Sequence, residues 1–305
     1  MIIHDARFNS VAQHANKLVR LCTSAVWSEG PVWMREDDSV LWSDIPNNRM
    51  LRWHAKDGMS VWRNKAEFCN GHTREKDGSL LHCSHGLRAI VRTRFGASLD
   101  EQSDEIVVDQ YQGRKLNSPN DLVVKSDGCI WFTDPPYGIA SDREGYRADS
   151  ELGDCYVFRF DPTTKSLRIV SDFVEEPNGL AFSPDESTLY VSDTSAAMRT
   201  DGSGNHHIMA FDVVGGQDLT RPRVFATIER GLSDGFRIDK NGFLYTSSLD
   251  AVLVYHPDGT LLATIPVPEK IGNLTFGGEA RNELYICAST SLYKIVLNTQ
   301  GLEKW

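Results

Sequence analysis

One unit repeats six times along this chain of 305 residues. In its clearest copy, residues 178–193, a polar residue begins a short apolar segment, a turn follows, and a second apolar or aromatic segment ends at another polar residue. Four copies place a polar residue seven positions before a turn residue: Asn70 before Asp77, Asn120 before Asp127, Asn178 before Asp185, and Asp234 before Asn241. Two degenerate copies, beginning at Glu29 and Asn273, frame them. Repeats spaced by roughly 40 to 60 residues are typical of solenoids, propellers and arrays.

The apolar segments are short and strand-like. Several turns carry dipeptides that accept a positive φ angle at little cost: Asp57-Gly58, Asp77-Gly78, Asp127-Gly128, Asn241-Gly242 and Asp258-Gly259. Six sheets of four strands closed in a ring form a β-propeller, and closure removes the sheet edges that favour aggregation. The predicted fold is therefore all-β, a six-bladed β-propeller with four-stranded antiparallel blades. The alternative, an open sandwich, does not explain six copies of one unit.

Ring closure usually requires one chain end to complete a blade begun by the other. Residues Lys17 to Cys22 follow the pattern of a strand. We expect this N-terminal strand to close the propeller by joining the strands predicted in the last blade: Ile271–Phe276, Glu283–Cys287 and Leu292–Leu297. Residues 1–16 would then be a loosely ordered N-terminal lead-in, and residues 17–305 a single propeller domain.

Composition narrows the class of protein. A formal net charge of −10 argues against nucleic acid or an anionic membrane as the main partner. The sequence has no apolar run of about 18 residues and no signal-peptide pattern at its start, so we expect a cytoplasmic protein. The six cysteines form no C-x-x-C pair, so we expect small buried hydrophobes rather than disulfides or zinc ligands. The sequence makes no prediction of oligomeric state.

Two stretches depart from the repeat. Residues 134–154 are rich in Gly, Asp, Arg and Tyr, and long irregular insertions are often lids or binding loops. The alternative is a surface insertion that has no function. Residues 194–207 are polar and Gly-rich, and we expect a plain loop there.

The first strand of each propeller blade lines the central channel, so matching positions of successive blades converge on the axis at one end. Here those positions carry oxygen-bearing side chains: Glu29, Asn70, Asn120, Asn178, Asp234 and Asn273. Six such groups are costly to bury unless water or a metal ion satisfies them. Carboxylate and amide oxygens suit calcium, then manganese or magnesium, and fit zinc less well.

Taken singly, several of these residues have an ordinary explanation. Asn178 precedes Gly179 and Asp234 precedes Gly235, so either is a candidate turn residue. Their shared phase in the repeat favours a metal-lined channel, in which Glu29 and Asp234 would balance the charge of one divalent ion.

The same residues resemble a known family. The motifs that carry the resemblance span about residues 20 to 297: Glu29-Gly30-Pro31-Val32-Trp33, Asn70-Gly71-His72, Ser118-Pro119-Asn120-Asp121, Asp134-Pro135-Pro136-Tyr137, Pro177-Asn178-Gly179-Leu180 and Ser233-Asp234-Gly235. Together they resemble a gluconolactonase of the senescence-marker-protein/gluconolactonase/luciferin-regenerating-enzyme superfamily of six-bladed propellers.

The resemblance implies one divalent cation, usually calcium, with manganese, magnesium or zinc as substitutes. It places Glu29, Asn178 and Asp234 as ligands and Asn120 beside them, as a ligand or a substrate contact. The implied reaction is hydrolysis of a sugar lactone such as glucono-1,5-lactone to its aldonic acid, with Asp234 as general base. A cation at this place would polarise the lactone carbonyl and make a coordinated water easier to deprotonate.

A polyhydroxylated lactone needs further contacts at the same end of the channel. We expect His72, Tyr137 and His85 to supply them, each with a structural role as the alternative. The far ends of returning strands also bring Asp134 and Asp193 to this end. Ser118 stands where some animal relatives carry an arginine, which leaves the contacts to the sugar hydroxyls open.

Two other functions remain open from the sequence. A hydrolase of other lactones, esters or phosphotriesters would use the same channel residues. A non-catalytic propeller that binds a ligand or protein would not need the charges of Glu29 and Asp234. The sequence lacks the Gly-x-Ser-x-Gly motif that is typical of a serine-nucleophile esterase.

Overall fold

A computed structural model describes residues 1–12, 17–199 and 201–302. It confirms the predicted all-β class: six antiparallel blades of four strands form a six-bladed β-propeller. Blade one contains, in sheet order, the strands Ser28–Met34, Ser39–Asp44, Arg49–His54 and Gly58–Asn64. Blade two contains Cys69–Arg74, Leu80–Ser84, Ala89–Phe95 and Gln102–Val108. Blade three contains Leu122–Val124, Ile130–Asp134, Tyr156–Asp161 and Ser166–Ser171.

Blade four contains, in sheet order, Pro177–Phe182, Thr188–Asp193, His207–Val214 and Asp218–Thr227. Blade five contains Phe236–Ile238, Leu244–Thr246, Ala251–Tyr255 and Leu261–Pro266. Blade six contains Ile271–Gly277, Glu283–Ala288, Ser291–Val296 and Val19–Thr23. Shorter elements lie outside these four-strand sets: the strand Ile2–Ile3, the pair Gln110–Tyr111 and Arg114–Lys115, the 3-10 helices Ala6–Ser10, Ile45–Asn47 and Ser195–Ala197, and the α-helix Tyr137–Ala140.

The N-terminal strand closes the ring as predicted. Val19–Thr23 pairs antiparallel with Ser291–Val296, with Val19 opposite Lys294 and Thr23 opposite Ser291. The outermost strand of blade six therefore comes from the start of the chain, and its other three strands come from the end. The prediction placed this strand at residues 17–22, close to the observed bounds.

The first part of the lead-in is held more firmly than the sequence indicated. Ile2–Ile3 adds a short strand to blade five by pairing with Thr264 and Ala263. The side chain of Phe8 is fully buried, and its ring lies 6.4 Å from that of Tyr245. Residues 13–16 of the expected lead-in lie outside the described part of the chain.

Aromatic side chains fill the spaces between neighbouring blades. Tyr245 of blade five meets Phe276 of blade six edge-on, with 5.3 Å between ring centroids. Across the closing seam, Tyr285 of blade six stacks on Trp33 of blade one at 5.6 Å. Each such pair buries a large apolar area in a defined geometry, so these contacts stabilise the angle between blades as well as the core.

At the axis the innermost strands approach one another through their backbones. Three hydrogen bonds join consecutive blades: Gly71 N to Asn120 O at 2.8 Å, Gly179 N to Asp234 O at 2.9 Å, and Gly235 N to Gly272 O at 2.8 Å. A Cβ at Gly179 would lie 2.4 Å from the backbone oxygen of Asp234. Glycine is required there because the neighbouring strand occupies the space of a side chain.

All six cysteines are free thiols. Cys69, Cys83, Cys129 and Cys287 are buried, as predicted, whereas Cys22 and Cys155 are half-buried. Within the described ranges, no helix has the length and apolar character needed to cross a membrane. A cytoplasmic location stays a prediction.

Replacement of Gly179 tests the close approach at the axis. The φ angle of Gly179 suits any residue, so at an open position alanine would stabilise the chain by about 0.4–1 kcal/mol. Because the Asp234 carbonyl blocks the new methyl group, we expect Gly179→Ala instead to lower the free energy of unfolding by about 3 kcal/mol. Urea-induced unfolding measures the difference.

Gly58→Ala is the control, since nothing lies within 4 Å of the added Cβ and only its φ of +74° opposes the change. That strain costs about 1 kcal/mol. Equal losses for the two variants would contradict a steric requirement at the axis.

Candidate active site at the axis

The structure brings the six polar residues that begin the repeats into one ring. Five of them are buried: Glu29, Asn70, Asn120, Asn178 and Asn273. Asp234 is partly exposed. Contacts run around the ring and across the seam: a Cβ at Gly30 would lie 2.1 Å from the backbone oxygen of Asn70, and one at Gly272 would lie 2.1 Å from Glu29 Oε2. The repeat phase therefore places these side chains together.

Two carboxylates at the axis are held where charge is costly. Burial raises the pKa of Glu29 well above its ordinary value, and the negative charge of Asp234 raises it further. Burial also raises the pKa of Asp234, as do the carboxylates of Glu144 and Asp121, while Lys270 and a hydrogen bond from Asn178 oppose the shift. Two carboxylates therefore lie close together at one end of the channel, where burial and their mutual repulsion oppose ionisation.

Glu29 has an oxygen with no partner among the described residues. Its Oε2 atom is buried and accepts no hydrogen bond there. A buried carboxylate oxygen without a donor is costly, and a cation removes that cost. In the described ranges no group of three or more His, Cys, Asp or Glu side chains is arranged to hold a metal ion. The ligands expected from the sequence are two carboxylates, from Glu29 and Asp234, and two amides, from Asn178 and Asn120. These hard oxygen donors fit calcium or a similar ion.

Asn178 is oriented by a residue that the sequence did not single out. Its Nδ2 atom donates to Thr194 Oγ1 at 3.2 Å, and the same hydroxyl lies 2.5 Å from Tyr137 Oη. Thr194 is buried. The Thr194 hydroxyl donates to the backbone oxygen of Glu176 at 3.4 Å, so it accepts from Asn178 Nδ2 and the Asn178 oxygen faces away from it. The same hydroxyl links the axis to the insertion that contains Tyr137.

Asn120 is also buried at the ring, and its backbone oxygen accepts from Gly71. The adjacent Asp121 lies deeper and pairs with two neighbours. Its Oδ2 accepts from Asn273 Nδ2 at 3.4 Å and lies 3.6 Å from Arg237 Nη1. Asp121 and Arg237 therefore lie directly against Asn273 of the ring.

His72 does not join the residues of the ring. Its Nδ1 lies 2.6 Å from the Gly30 carbonyl oxygen, and its ring lines a cavity of about 650 Å³. That cavity is bounded by the far ends of the innermost strands, including Arg74, Ile238 and Gly278, so it opens at the other end of the channel. A strand rises about 3.3 Å per residue, so His72, two positions after Asn70, already lies below the ring.

His85 lies beside the ring with both ring nitrogens engaged. Nε2 is 3.1 Å from Asn70 Nδ2, and Nδ1 is 2.8 Å from the backbone oxygen of Glu144. The insertion packs on this histidine, because a Cβ at Gly138 would lie 2.5 Å from the His85 Cβ. Its predicted role as a direct substrate contact stays a prediction, as does that of His72.

The insertion lies against three blades. Tyr146 packs edge-on against Phe68 of the loop before blade two at 5.2 Å. The Gly138 amide donates to Ser118 Oγ at 2.9 Å, so Ser118 fastens the insertion to blade three. Tyr137 reaches Thr194, which directly follows the second strand of blade four. We infer that a segment attached at these three places around the ring covers part of its mouth.

Asp134 and Asp193 are engaged with the backbone. Asp134 accepts from the amides of Asn117 and Ser118, both at 2.8 Å. Asp193 accepts from the amide of Glu175 at 3.1 Å. These carboxylates hold the loops that enter blades three and four, which is a structural use of a buried acid.

Sequence reasoning missed four residues near the ring: Thr194, Glu144, Glu176 and Lys270. Residues 194–207 were expected to form a plain loop, yet they begin with Thr194 and contain the 3-10 helix Ser195–Ala197. The only sequence signal for Thr194 is its place directly after the strand end at Asp193. Glu144 lies in the insertion that was expected to be a lid or binding loop, but nothing in the sequence marks it among its neighbours. Glu176 and Lys270 lie outside the repeat and carry no such signal.

Comparison with known proteins assigns the class. Residues 27–290 match the family described as SMP-30/Gluconolactonase/LRE-like region. The chain belongs to this family, as its motifs predicted. Among particular relatives, it is 31% identical to a gluconolactonase of Zymomonas mobilis, over 97% of this chain and 85% of that protein.

Two further relatives agree. The chain is 29% identical to the pentonolactonase XacC of Haloferax volcanii, over 87% of this chain and 82% of that protein. The solved structure of a gluconolactonase from Xanthomonas campestris superposes with a TM-score of 0.87 at 39% identity, covering 97% of this chain and 94% of the other.

The state of two buried histidines can be measured directly. Burial lowers the pKa of His72 and of His85 to about 4, from an ordinary value of 6.5. Both rings should therefore be neutral at pH 5 in the folded protein. In the unfolded chain they charge below about pH 6.5, so each contributes a loss of stability as the pH falls from about 6.5 to about 4.

Long-range ¹H–¹⁵N NMR spectra of the imidazole nitrogens test this expectation. Neutral-ring shifts for both residues at pH 5 are expected. A titration midpoint near 6.5 for either residue would show that it is open to solvent.

Proposed function

We propose that this chain hydrolyses a sugar lactone such as glucono-1,5-lactone to the aldonic acid, in a reaction that depends on a divalent cation, calcium first. It is a carboxylic ester hydrolase. One observation carries the proposal: the buried, unpartnered Oε2 of Glu29 sits in a ring that also holds Asn178, Asp234 and Asn120. The lactonase names of the relatives support the substrate class.

Glu29, Asn178 and Asp234 are the proposed ligands, with Asn120 as a fourth ligand or a substrate contact. When bound, the cation would polarise the lactone carbonyl and lower the pKa of water at the site. Two carboxylates balance one divalent charge, and the amide oxygens add ligands without adding repulsion.

Asp234 is the proposed general base. Its backbone is fixed at both ends, because its amide donates to Ser247 Oγ at 2.7 Å and its carbonyl accepts from Ser192 Oγ at 3.0 Å. Asp234 as a whole residue is partly exposed, so an attacking water would have a path to its side chain. Burial raises its pKa in the metal-free protein. A cation held by the same carboxylate would lower that pKa again, so the ionised form that can accept a proton would be present near neutral pH.

Asn120 and Tyr137 are the proposed substrate contacts at the ring. His85 would act from beside them, since both of its ring nitrogens are engaged. His72 lines the cavity at the other end of the channel and is not proposed as a contact. Tyr137 is the best placed of the residues in the insertion, because its hydroxyl lies against Thr194 beside Asn178. The insertion itself excludes water from part of the mouth. A neutral, polyhydroxylated small molecule is the proposed partner, with the cytoplasm as its compartment.

Proton release tests the function. In a pH-stat with glucono-1,5-lactone, a γ-lactone and a phosphotriester, we expect turnover of the lactones, loss of that turnover on chelation, and recovery with calcium or another divalent ion. Glu29→Gln and Asp234→Asn should each lower lactone kcat/KM by about 100-fold or more, since each removes a charge from the ion site.

Glu279→Gln is the matched control, because Glu279 lines the cavity at the other end of the channel. It should keep wild-type turnover. Lactone hydrolysis that survives complete chelation would contradict the proposed mechanism. Turnover confined to the phosphotriester would favour the alternative substrate class.

Thr194 supports a second prediction. Without its hydroxyl the Asn178 amide loses its fixed orientation, so we expect Thr194→Val to weaken divalent-ion binding by about tenfold, with Thr194→Ser close to wild type. Terbium luminescence with calcium competition measures the affinity without turnover.

The control is Thr93→Val. Thr93 is also buried and donates to Asp104 Oδ1 at 2.6 Å, but in the third strand of blade two, away from the axis. Equal ion affinity for the Thr194→Val variant and wild type would show that Asn178 does not depend on this hydroxyl.

A further inference from the structure

A second oxygen at the ring lacks a partner. Asn70 begins the innermost strand of blade two, is 4% exposed, and belongs to the six-residue ring. Its Oδ1 is buried and accepts no hydrogen bond from any described residue. A buried acceptor without a donor is costly, so a donor from elsewhere would stabilise the site.

The direction of the Asn70 amide follows from its neighbours. The Glu144 backbone oxygen can only accept, so the proton of the His85 ring must be on Nδ1, which lies 2.8 Å away. Nε2 then carries a lone pair and accepts from Asn70 Nδ2 at 3.1 Å. The amide nitrogen of Asn70 is thereby turned toward His85, and the oxygen is left for another partner.

The surroundings of His85 keep this arrangement in place. The ring is 1% exposed and lies against Gly138 at the start of the insertion. Burial lowers the pKa of His85 to about 4, so the ring is neutral near pH 7 and Nε2 keeps its lone pair. The histidine thus connects the insertion to Asn70 through two directional hydrogen bonds.

We propose that Asn70 Oδ1 accepts a hydrogen bond from a hydroxyl group of the lactone, and that His85 is the positioning residue that aims it. The assignment rests on the proposed function. A hydroxyl donor is favoured over the cation, because Glu29, Asn178, Asp234 and Asn120 already form an oxygen set that balances the ion's charge. Asn70 is instead joined through His85 to the insertion, which covers the mouth where a substrate enters.

Two substrates separate this role from a structural one. Glucono-1,5-lactone carries ring hydroxyls, and δ-valerolactone has the same ester ring without them. We expect Asn70→Ala to lower kcat/KM for glucono-1,5-lactone by about 10- to 100-fold, because a site built to accept a hydrogen bond discriminates strongly. For δ-valerolactone the change should stay within about threefold, since that ring offers no hydroxyl to lose.

His85→Phe should reproduce the selective loss, since it removes the Nε2 acceptor while keeping a ring against Gly138. Asn241→Ala is the matched control: its amide donates to Thr299 Oγ1 at 3.1 Å and to Asp239 at 3.3 Å, both outside the ring. It should leave both substrates unchanged. Calcium affinity, measured by terbium competition, should remain within about twofold of wild type in the Asn70 and His85 variants.

The outcomes are distinct. Equal losses for the two lactones would overturn the assignment, as would a large fall in calcium affinity, which would make Asn70 an ion ligand. A selective loss in Asn70→Ala without one in His85→Phe would overturn the positioning role alone. Absence of turnover of either lactone by the wild-type protein would overturn the proposed function itself.

Discussion

The contact of the innermost strands at the axis is the constraint on which the rest of the structure depends. A glycine lies next to five of the six ring residues, all except Asn120. These glycines leave room for the first residues of the neighbouring blade. Gly272 lies against Glu29 Oε2, so the same contact also joins the last blade to the first. The aromatic pairs between blades and the strand Val19–Thr23 stabilise a ring whose inner circumference is set at these glycines.

The buried carboxylates of the protein differ in how they are satisfied. Asp134 accepts from two backbone amides at 2.8 Å and holds a loop. Glu29, by contrast, keeps one oxygen without a donor from the described residues, while Asp234 adds a second negative charge nearby. The fold supplies hydrogen-bond donors to the Asp134 carboxylate but leaves an oxygen of Glu29 without one. Buried polar atoms that lack partners are expected at functional sites. This contrast separates structural acids from site residues better than burial alone.

The repeat made the fold and the ring predictable. A polar residue at a fixed distance from each turn must fall on the same position of each blade, so Glu29, Asn178 and Asp234 could be placed together from the sequence. The strand near residue 20 followed from the need to close the ring.

The rest could not be read from the pattern. Thr194 and Glu144 lie in segments without a repeat, and their positions depend on how those segments cross the mouth. His72 shows the limit of the argument, because two positions along a strand is enough to move a side chain from the ring toward the other end of the channel. The structure places His85 beside the ring, and its link to Asn70 and Glu144 depends on three-dimensional contacts that the sequence does not show.

Anomalous diffraction from crystals soaked in manganese tests the central claim most directly, because manganese suits the same oxygen ligands and scatters anomalously. The account predicts one strong peak on the axis, bonded to oxygens of Glu29, Asn178 and Asp234 at about 2.0–2.6 Å, the range for hard cations with oxygen ligands. A fully soaked crystal with no peak among these three residues, or with its strongest peak elsewhere, would contradict it.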